Sequence, residues 1–182
     1  VIFDLDGTLY HMRWFMRPLF FLWLFPNGLN LPRYMKVRER FAGRDVGSGG
    51  ALMEALSNDL ARAINRSASE ARRWIESAFY PTFVRMMSFM WSPSRDITGT
   101  VGSLSRQGIQ CAVLSDYAMV PQRLVGLGID PAVFELTASS ETEGALKPHP
   151  RPFLNIAEQM AVDPRSVLVV GDRVDTDGEA AA

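Results

Sequence analysis

The chain predicts an α/β fold: a parallel sheet flanked by helices, with an all-helical block inserted after the first strand. Three observations carry that expectation. Short apolar runs (IQCAVLS, FELTAS, SVLVVG) alternate with helical stretches in the second half of the 182 residues, and such alternation indicates βαβ units and a parallel sheet. The opening run, Val1 to Phe3, is continuously apolar up to Asp4, as in a strand buried on both faces. From about Trp14 to Met90 only helical spacing is found.

The first strand runs into DLDGT, so Asp4 and Asp6 stand at its carboxyl end, where open α/β sheets bind ligands. Asp and Gly are also ordinary turn residues, so this segment alone reads equally well as a polar turn. The aromatic stretch Trp14 to Phe25 comes next. Its uninterrupted apolar part is Leu19 to Phe25, far short of the ~20 residues a membrane-spanning helix needs. A buried helix is the preferred reading over a membrane-surface element; an aromatic substrate wall or a dimer face is compatible with it. In GGALMEALSNDLARAINR, Leu52, Leu56, Leu60, Ala63 and Ile64 mark one helix face. Ser67 and Glu70 form a capping box opening the next helix, and Pro81 is expected to start another. After WSPSRD comes a helix weakened by Gly99 and Gly102. Strand IQCAVLS, a helix around VPQRLVGLG, strand FELTAS, a helix from about Pro150 to Met160 and strand SVLVVG follow. The expected division is a core of residues 1–13 and 92–182 and a helical unit of residues 14–91.

Composition narrows the function. Hydrophobic residues are 47% and charged residues 21%, as in a folded protein. A net charge of −1 supplies no basic field for nucleic acid. The single cysteine, Cys111, rules out an internal disulfide and fits a reducing, cytoplasmic setting; in its apolar run it reads as a buried, inert thiol.

Four signals fall at or just past predicted strand ends: DLDGT (Asp4 to Thr8), VLSD (Val113 to Asp116), LKPHP (Leu146 to Pro150) and VVGDRVDTD (Val169 to Asp177). In order, spacing and strand context the chain resembles the haloacid dehalogenase superfamily, in its phosphatase branch with a helical type 1 cap, phosphoglycolate phosphatase-like. The resemblance implies a Rossmann-like core, with the helical unit as the cap that closes over it. It assigns Asp4 as a nucleophile that splits phosphate-ester hydrolysis through an aspartyl-phosphate, and Asp6 as general acid and base. Two acids this close do not both ionise cheaply. The resemblance implies Mg²⁺, held by Asp4, the Asp6 carbonyl, Asp172 and, directly or through water, Asp177; such a cation prefers oxygen ligands. Ser115 and the Asp116 N–H are the implied phosphoryl donors, Thr8 is a further substrate contact, and Lys147 would neutralise the phosphate and orient Asp4. Only two of the 19 basic residues are lysines, Lys36 and Lys147, and one falls in the lysine motif, where Arg is no equivalent. Ser115 could instead cap the next helix, and Lys147 could be a solvated loop charge. Asp175 reads as solvent-facing, and His11 and His149 as turn or surface residues.

An acid two places after the nucleophile points to a phosphatase or phosphomutase rather than a dehalogenase. A catalytically weak sensor that binds a phosphorylated metabolite is the alternative of another class. In the loop Arg40 to Gly50, Arg44 is the candidate substrate contact from the cap, with a solvent-facing role equally open. Trp14, Phe15, Phe20, Phe21, Trp23 and Phe25 suggest an aromatic cap interior and a bulky or partly apolar leaving group. The core of the resembled family continues with a further helix and strand, so the last core strand is expected to be missing from this chain. The expected partner is a small phosphorylated metabolite, with no nucleic acid and no membrane span.

Overall fold

A computed structural model describes residues 1–12, 14–89 and 97–179. Four strands form one parallel sheet in the order β3-β2-β1-β4: β1 (Ile2–Asp4), β2 (Ala112–Ser115), β3 (Leu136–Ser139) and β4 (Val169–Val170). Phe3 pairs with Val113 and Val170, and Asp4 with Leu114. This register brings Asp4, Ser115 and the residues after Val170 to the same sheet end. The strand order reverses beside β1, between β2 and β4, and such a switch point opens a crevice at the carboxyl ends.

Between β1 and β2 lies the helical block: α1 (Met16–Trp23), α2 (Asn30–Glu39), α3 (Gly49–Ile64), α4 (Ala68–Trp74) and α5 (Tyr80–Met87). The remaining helices are α6 (Ile97–Arg106), α7 (Val120–Gly126), α8 (Ser140–Glu143) and α9 (Arg151–Gln159). The expected boundary near residue 91 lies outside the described residues.

In α3, Leu52, Leu56 and Leu60 are fully buried, each worth about 1.5–3 kcal/mol of burial. Ala61 completes that stripe while Ala63 is exposed, so the buried face turns by two residues from the expected one. Ser48 caps α3, its hydroxyl accepting from the Ala51 N–H. The Ser67–Glu70 capping box forms at the start of α4. Pro81 stands in the first turn of α5, as expected. A π turn over Ile75–Phe79 joins α4 to α5, and the Tyr80 N–H donates to the Ile75 carbonyl. The wider turn carries the chain past a residue that has no N–H to donate.

The aromatic stretch is largely outside. Met16, Phe20 and Leu24 are buried, but Trp14 is 86% and Phe25 79% exposed, and Phe15 and Phe21 are half out. A short, mostly apolar segment covers only the face turned to its neighbours. The aromatic interior expected from Trp14 to Phe25 is therefore built mostly from other rings: Phe20 stacks on Phe83, and Phe79 sits among Tyr34, Trp74 and Tyr80. Leu5, Leu9, Val113 and Leu124 join this cluster, so one sheet face and the helical block share a core. On the opposite face Ile2, Ala112 and Leu114 pack on Phe153 and Ile156 of α9. Cys111 is buried. No helix among the described residues is long and apolar enough to cross a membrane.

Candidate active site

The crevice beyond the strands gathers charges from four segments. Asp4 ends β1 and is buried. Its Oδ1 accepts from Lys147 Nζ at 2.7 Å, and its Oδ2 from Thr8 Oγ1 at 3.1 Å. Lys147 Nζ also donates to Asp177 Oδ1 at 2.7 Å and to the Leu114 carbonyl at 3.1 Å. Lys147 is therefore a buried ammonium with every proton placed, and the two carboxylates raise its pKa although burial alone would lower it. Burial pushes the Asp4 carboxyl up to about 7 against the pull of Lys147, and the neighbouring Asp6 and Asp177 carboxylates add to the rise.

Asp172 follows β4. Asp4, Asp172 and Asp177 each offer a carboxylate oxygen, and these lie within 4.8 Å of one another. Gly7 makes this approach feasible: its φ is +103°, and a Cβ there would stand 2.2 Å from Asp172 Oδ2. A side chain at position 7 is excluded by backbone conformation and by space alike. Three hard carboxylate ligands on a half-open crevice fit an oxygen-preferring divalent ion. Asp4, Asp172 and Asp177 are the groups that would hold it.

Asp6 is engaged on both oxygens. Oδ1 accepts from the Tyr10 hydroxyl at 2.6 Å and from the Arg123 guanidinium, and Oδ2 accepts from Ser115 Oγ at 2.5 Å. Burial would raise its pKa, but Arg123 and these hydrogen bonds outweigh that and hold it below the usual carboxylate value. Ser115 Oγ in turn accepts from Arg123 Nη1 at 2.8 Å and from the Tyr117 N–H at 3.0 Å. The hydroxyl expected to serve a phosphate points its proton at Asp6 instead.

Asp116 uses its side chain to accept the Lys147 N–H at 2.9 Å, fixing the lysine loop against the β2 loop. Its carbonyl accepts from Arg38 Nη2 at 2.6 Å. Arg38 comes from α2, is buried, pairs with Glu141 of α8 and lies over the Tyr117 ring at 4.1 Å. Arg44, the arginine expected to reach in from the helical unit, is exposed and lines neither cavity of the site. Its loop does touch the lysine motif, since the Gly43 N–H donates to the Leu146 and Lys147 carbonyls. Asp175 is exposed and pairs with Arg173, and His149 Nδ1 accepts the Arg151 N–H within its turn.

Arg123, Tyr10 and Arg38 are the site residues sequence reasoning missed. A signal existed for two of them. Arg123 shares the inward stripe of α7 with Val120 and Leu124, and Arg38 that of α2 with Tyr34 and Val37. A charge on an apolar stripe needs a buried partner.

Paired acids at a sheet switch point, bridged by a buried lysine and reached from a helical insertion, define a hydrolase of the haloacid dehalogenase type. The signature of the haloacid dehalogenase-like hydrolases matches residues 1–182, and the chain belongs to that family. A glyceraldehyde 3-phosphate phosphatase from Methanopyrus kandleri is 32% identical over 87 residues, 47% of this chain and 37% of that protein. The aligned stretch thus spans little more than a third of that relative. A 2-haloacid dehalogenase from Pseudomonas syringae pv. Tomato DC3000 is similar in structure at TM-score 0.65 and 21% identity, over 99% of this chain and 80% of the other. A predicted phosphoglycolate phosphatase from Haemophilus somnus 129PT gives 0.61 at 20% identity, over 99% and 79%. A β-phosphoglucomutase from Clostridium difficile gives 0.63 at 20%, over 99% and 78%. At these identities the structural likeness establishes the fold.

Proposed function

We propose that the chain is a Mg²⁺-dependent phosphomonoester hydrolase with an aspartyl-phosphate intermediate on Asp4, and that residues 14–91 form the cap over it. The observation that carries the reading is Lys147 Nζ at 2.7 Å from both Asp4 and Asp177. A buried ammonium there holds the Asp4 carboxylate in place and offsets the charge of an entering phosphate. Bound at Asp4, Asp172 and Asp177, the divalent ion would supply a positive charge between carboxylates and phosphate. Asp4 attacks phosphorus, and the ester P–O bond breaks as the leaving oxygen takes a proton. Water then attacks the aspartyl-phosphate, gives up a proton, and inorganic phosphate leaves with Asp4 restored. Asp6 handles both protons. In its pairing with Arg123 it is ionised and ready as the base of the second half; acting as the acid of the first requires it to take up a proton and loosen from Arg123.

That engagement of Asp6 favours a second reading, a sensor that binds a phosphorylated metabolite without turning it over. Turnover of p-nitrophenyl phosphate separates the two. The expected result is Mg²⁺-dependent release of phosphate, abolished by EDTA and reduced at least about 10³-fold in Asp4→Asn, in the range lost when a nucleophile is removed. Binding of phosphate esters with no turnover would establish the sensor.

A further inference from the structure

Two cavities meet at Asp6 and Tyr117, which line both. One, of about 110 Å³, holds Asp4, Lys147, Asp172 and Asp177, and is the phosphate end of the site. The other, of about 590 Å³, lies between the sheet end and the helical block. Its walls are Phe20, Phe21, Leu31, Met35, Phe79 and Phe83. The polar groups on it are already engaged. Both Asp6 oxygens are taken, the Tyr10 hydroxyl donates to Asp6, and the Tyr117 hydroxyl donates to Met35 Sδ at 3.4 Å. Arg17, exposed to solvent, is the remaining charged side chain of the lining.

We infer that this second cavity takes the alcohol part of the substrate, and that the alcohol has an apolar carbon skeleton rather than a polyhydroxylated one. The inference rests on the phosphatase reading and names its substrate class. An ester whose phosphate lies between Lys147 and the acids has its bridging oxygen at Asp6, because Asp6 is the carboxylate common to the two cavities. The carbon chain beyond that oxygen then enters the aromatic walls. Sugar hydroxyls placed there would lose water and find side chains already committed to one another, a cost that buried polar groups avoid only by pairing. Methylenes placed there would leave water for ring faces and a thioether. The chain leaves past Phe21, which is 40% exposed at the cavity's edge.

The test is a series of n-alkyl phosphates from ethyl to octyl, kept below micelle formation, beside glucose 6-phosphate, with kcat/KM read from phosphate release in Mg²⁺. Burial of each methylene predicts a gain of about threefold to fourfold, so octyl phosphate should exceed ethyl phosphate by a hundredfold or more and glucose 6-phosphate should fall below both. Phe21→Ser, at an exposed position, and Leu31→Asn, at a half-buried one, should each lower the octyl-to-ethyl ratio at least threefold. Hydrolysis that is flat along the series, or best for glucose 6-phosphate, overturns the inference and leaves the phosphatase reading standing. Failure to hydrolyse any ester overturns the phosphatase reading; equilibrium binding of the same series to Asp4→Asn then decides the cavity. An affinity rising with chain length supports an apolar ligand there, and a flat one overturns it.

Discussion

Asp6 is ion-paired with Arg123, a side chain from α7 that is wholly enclosed in the protein. The same guanidinium reaches Ser115 and lies 4.3 Å from the Phe83 ring centroid. Arg123 therefore sets the charge of Asp6, the direction of the Ser115 hydroxyl and one wall of the apolar cavity together.

Removing it should be expensive. Arg123→Met leaves the Asp6 carboxylate with two neutral donors, Tyr10 and Ser115, and no counter-charge. Breaking a buried pair from one side costs about 3–5 kcal/mol; the Asp6 side chain keeps 23% of its exposure, so the lower figure is expected. Urea unfolding measures it. Arg123→Met combined with Asp6→Asn should recover more than half the loss, because the orphaned charge is then gone. A single substitution costing under about 0.5 kcal/mol would reduce the pair to an incidental contact.

Lys147 has three acceptors, two of them charged, and its surroundings suit a compact ammonium. Lys147→Arg should not rescue, since a planar guanidinium does not fit donors aimed at Asp4, Asp177 and Leu114 at once. Phosphatase turnover should drop at least about 10²-fold in Lys147→Arg and further in Lys147→Met, a loss typical of removing one charge-stabilising group. Circular dichroism and thermal unfolding, run beside the kinetics, separate lost chemistry from lost fold.

The raised pKa of Asp4 has a consequence for stability. In the folded chain this carboxyl holds its proton up to about pH 7, against 3.8 for an unburied one. Between those values the folded state binds a proton that the unfolded chain has lost. Stability therefore falls as pH rises from about 4 to about 7, and the loss is complete above that. Three units correspond to at most about 4 kcal/mol. In EDTA, urea unfolding of the wild type between pH 5 and 8 should show this decline, and Asp4→Asn, neutral throughout, should show a flatter profile. Equal slopes would mean that Asp4 titrates near its ordinary value.

What the sequence revealed follows from how local each signal is. β1 and its acids were legible because a strand buried on both faces, a pair of carboxylates and a glycine forced to positive φ stand within seven residues. Lys147 was legible because the chain otherwise uses arginine for nearly every cation. Asp172 and Asp177 fell in the last strand-end motif, and the register of β4 on β1 brings them beside Asp4. Arg123 was hidden among seventeen arginines, on a helix whose partner acid is 117 positions away. The exposure of Trp14 and Phe25, which flank α1, was equally illegible, because the stretch is apolar nearly throughout and only packing decides which of its side chains are covered.

Arg38 supplies the last prediction. It joins the helical block to the sheet: rooted in α2, it pairs with Glu141 of α8, donates to the Asp116 carbonyl and Tyr34 hydroxyl, and covers Tyr117. Asp116 and Tyr117 follow directly on Ser115, so the same side chain that docks the block also fixes the loop beside the site. Arg38→Met should cost about 3–5 kcal/mol by stranding Glu141 without a counter-charge, and adding Glu141→Leu should restore most of it, since an apolar pair of that volume is well tolerated in place of a buried ion pair. The double variant then isolates function from stability. With the fold restored but Asp116 and Tyr117 no longer held by a guanidinium, kcat/KM for phosphate esters should remain at least about tenfold low, the scale of a misplaced contact near the chemistry. Arg44→Met, six residues on and exposed, should change stability by no more than about 0.5 kcal/mol and leave kcat/KM within twofold. Full activity in the Arg38→Met/Glu141→Leu variant would show that Arg38 holds the two parts of the protein together without positioning the loop.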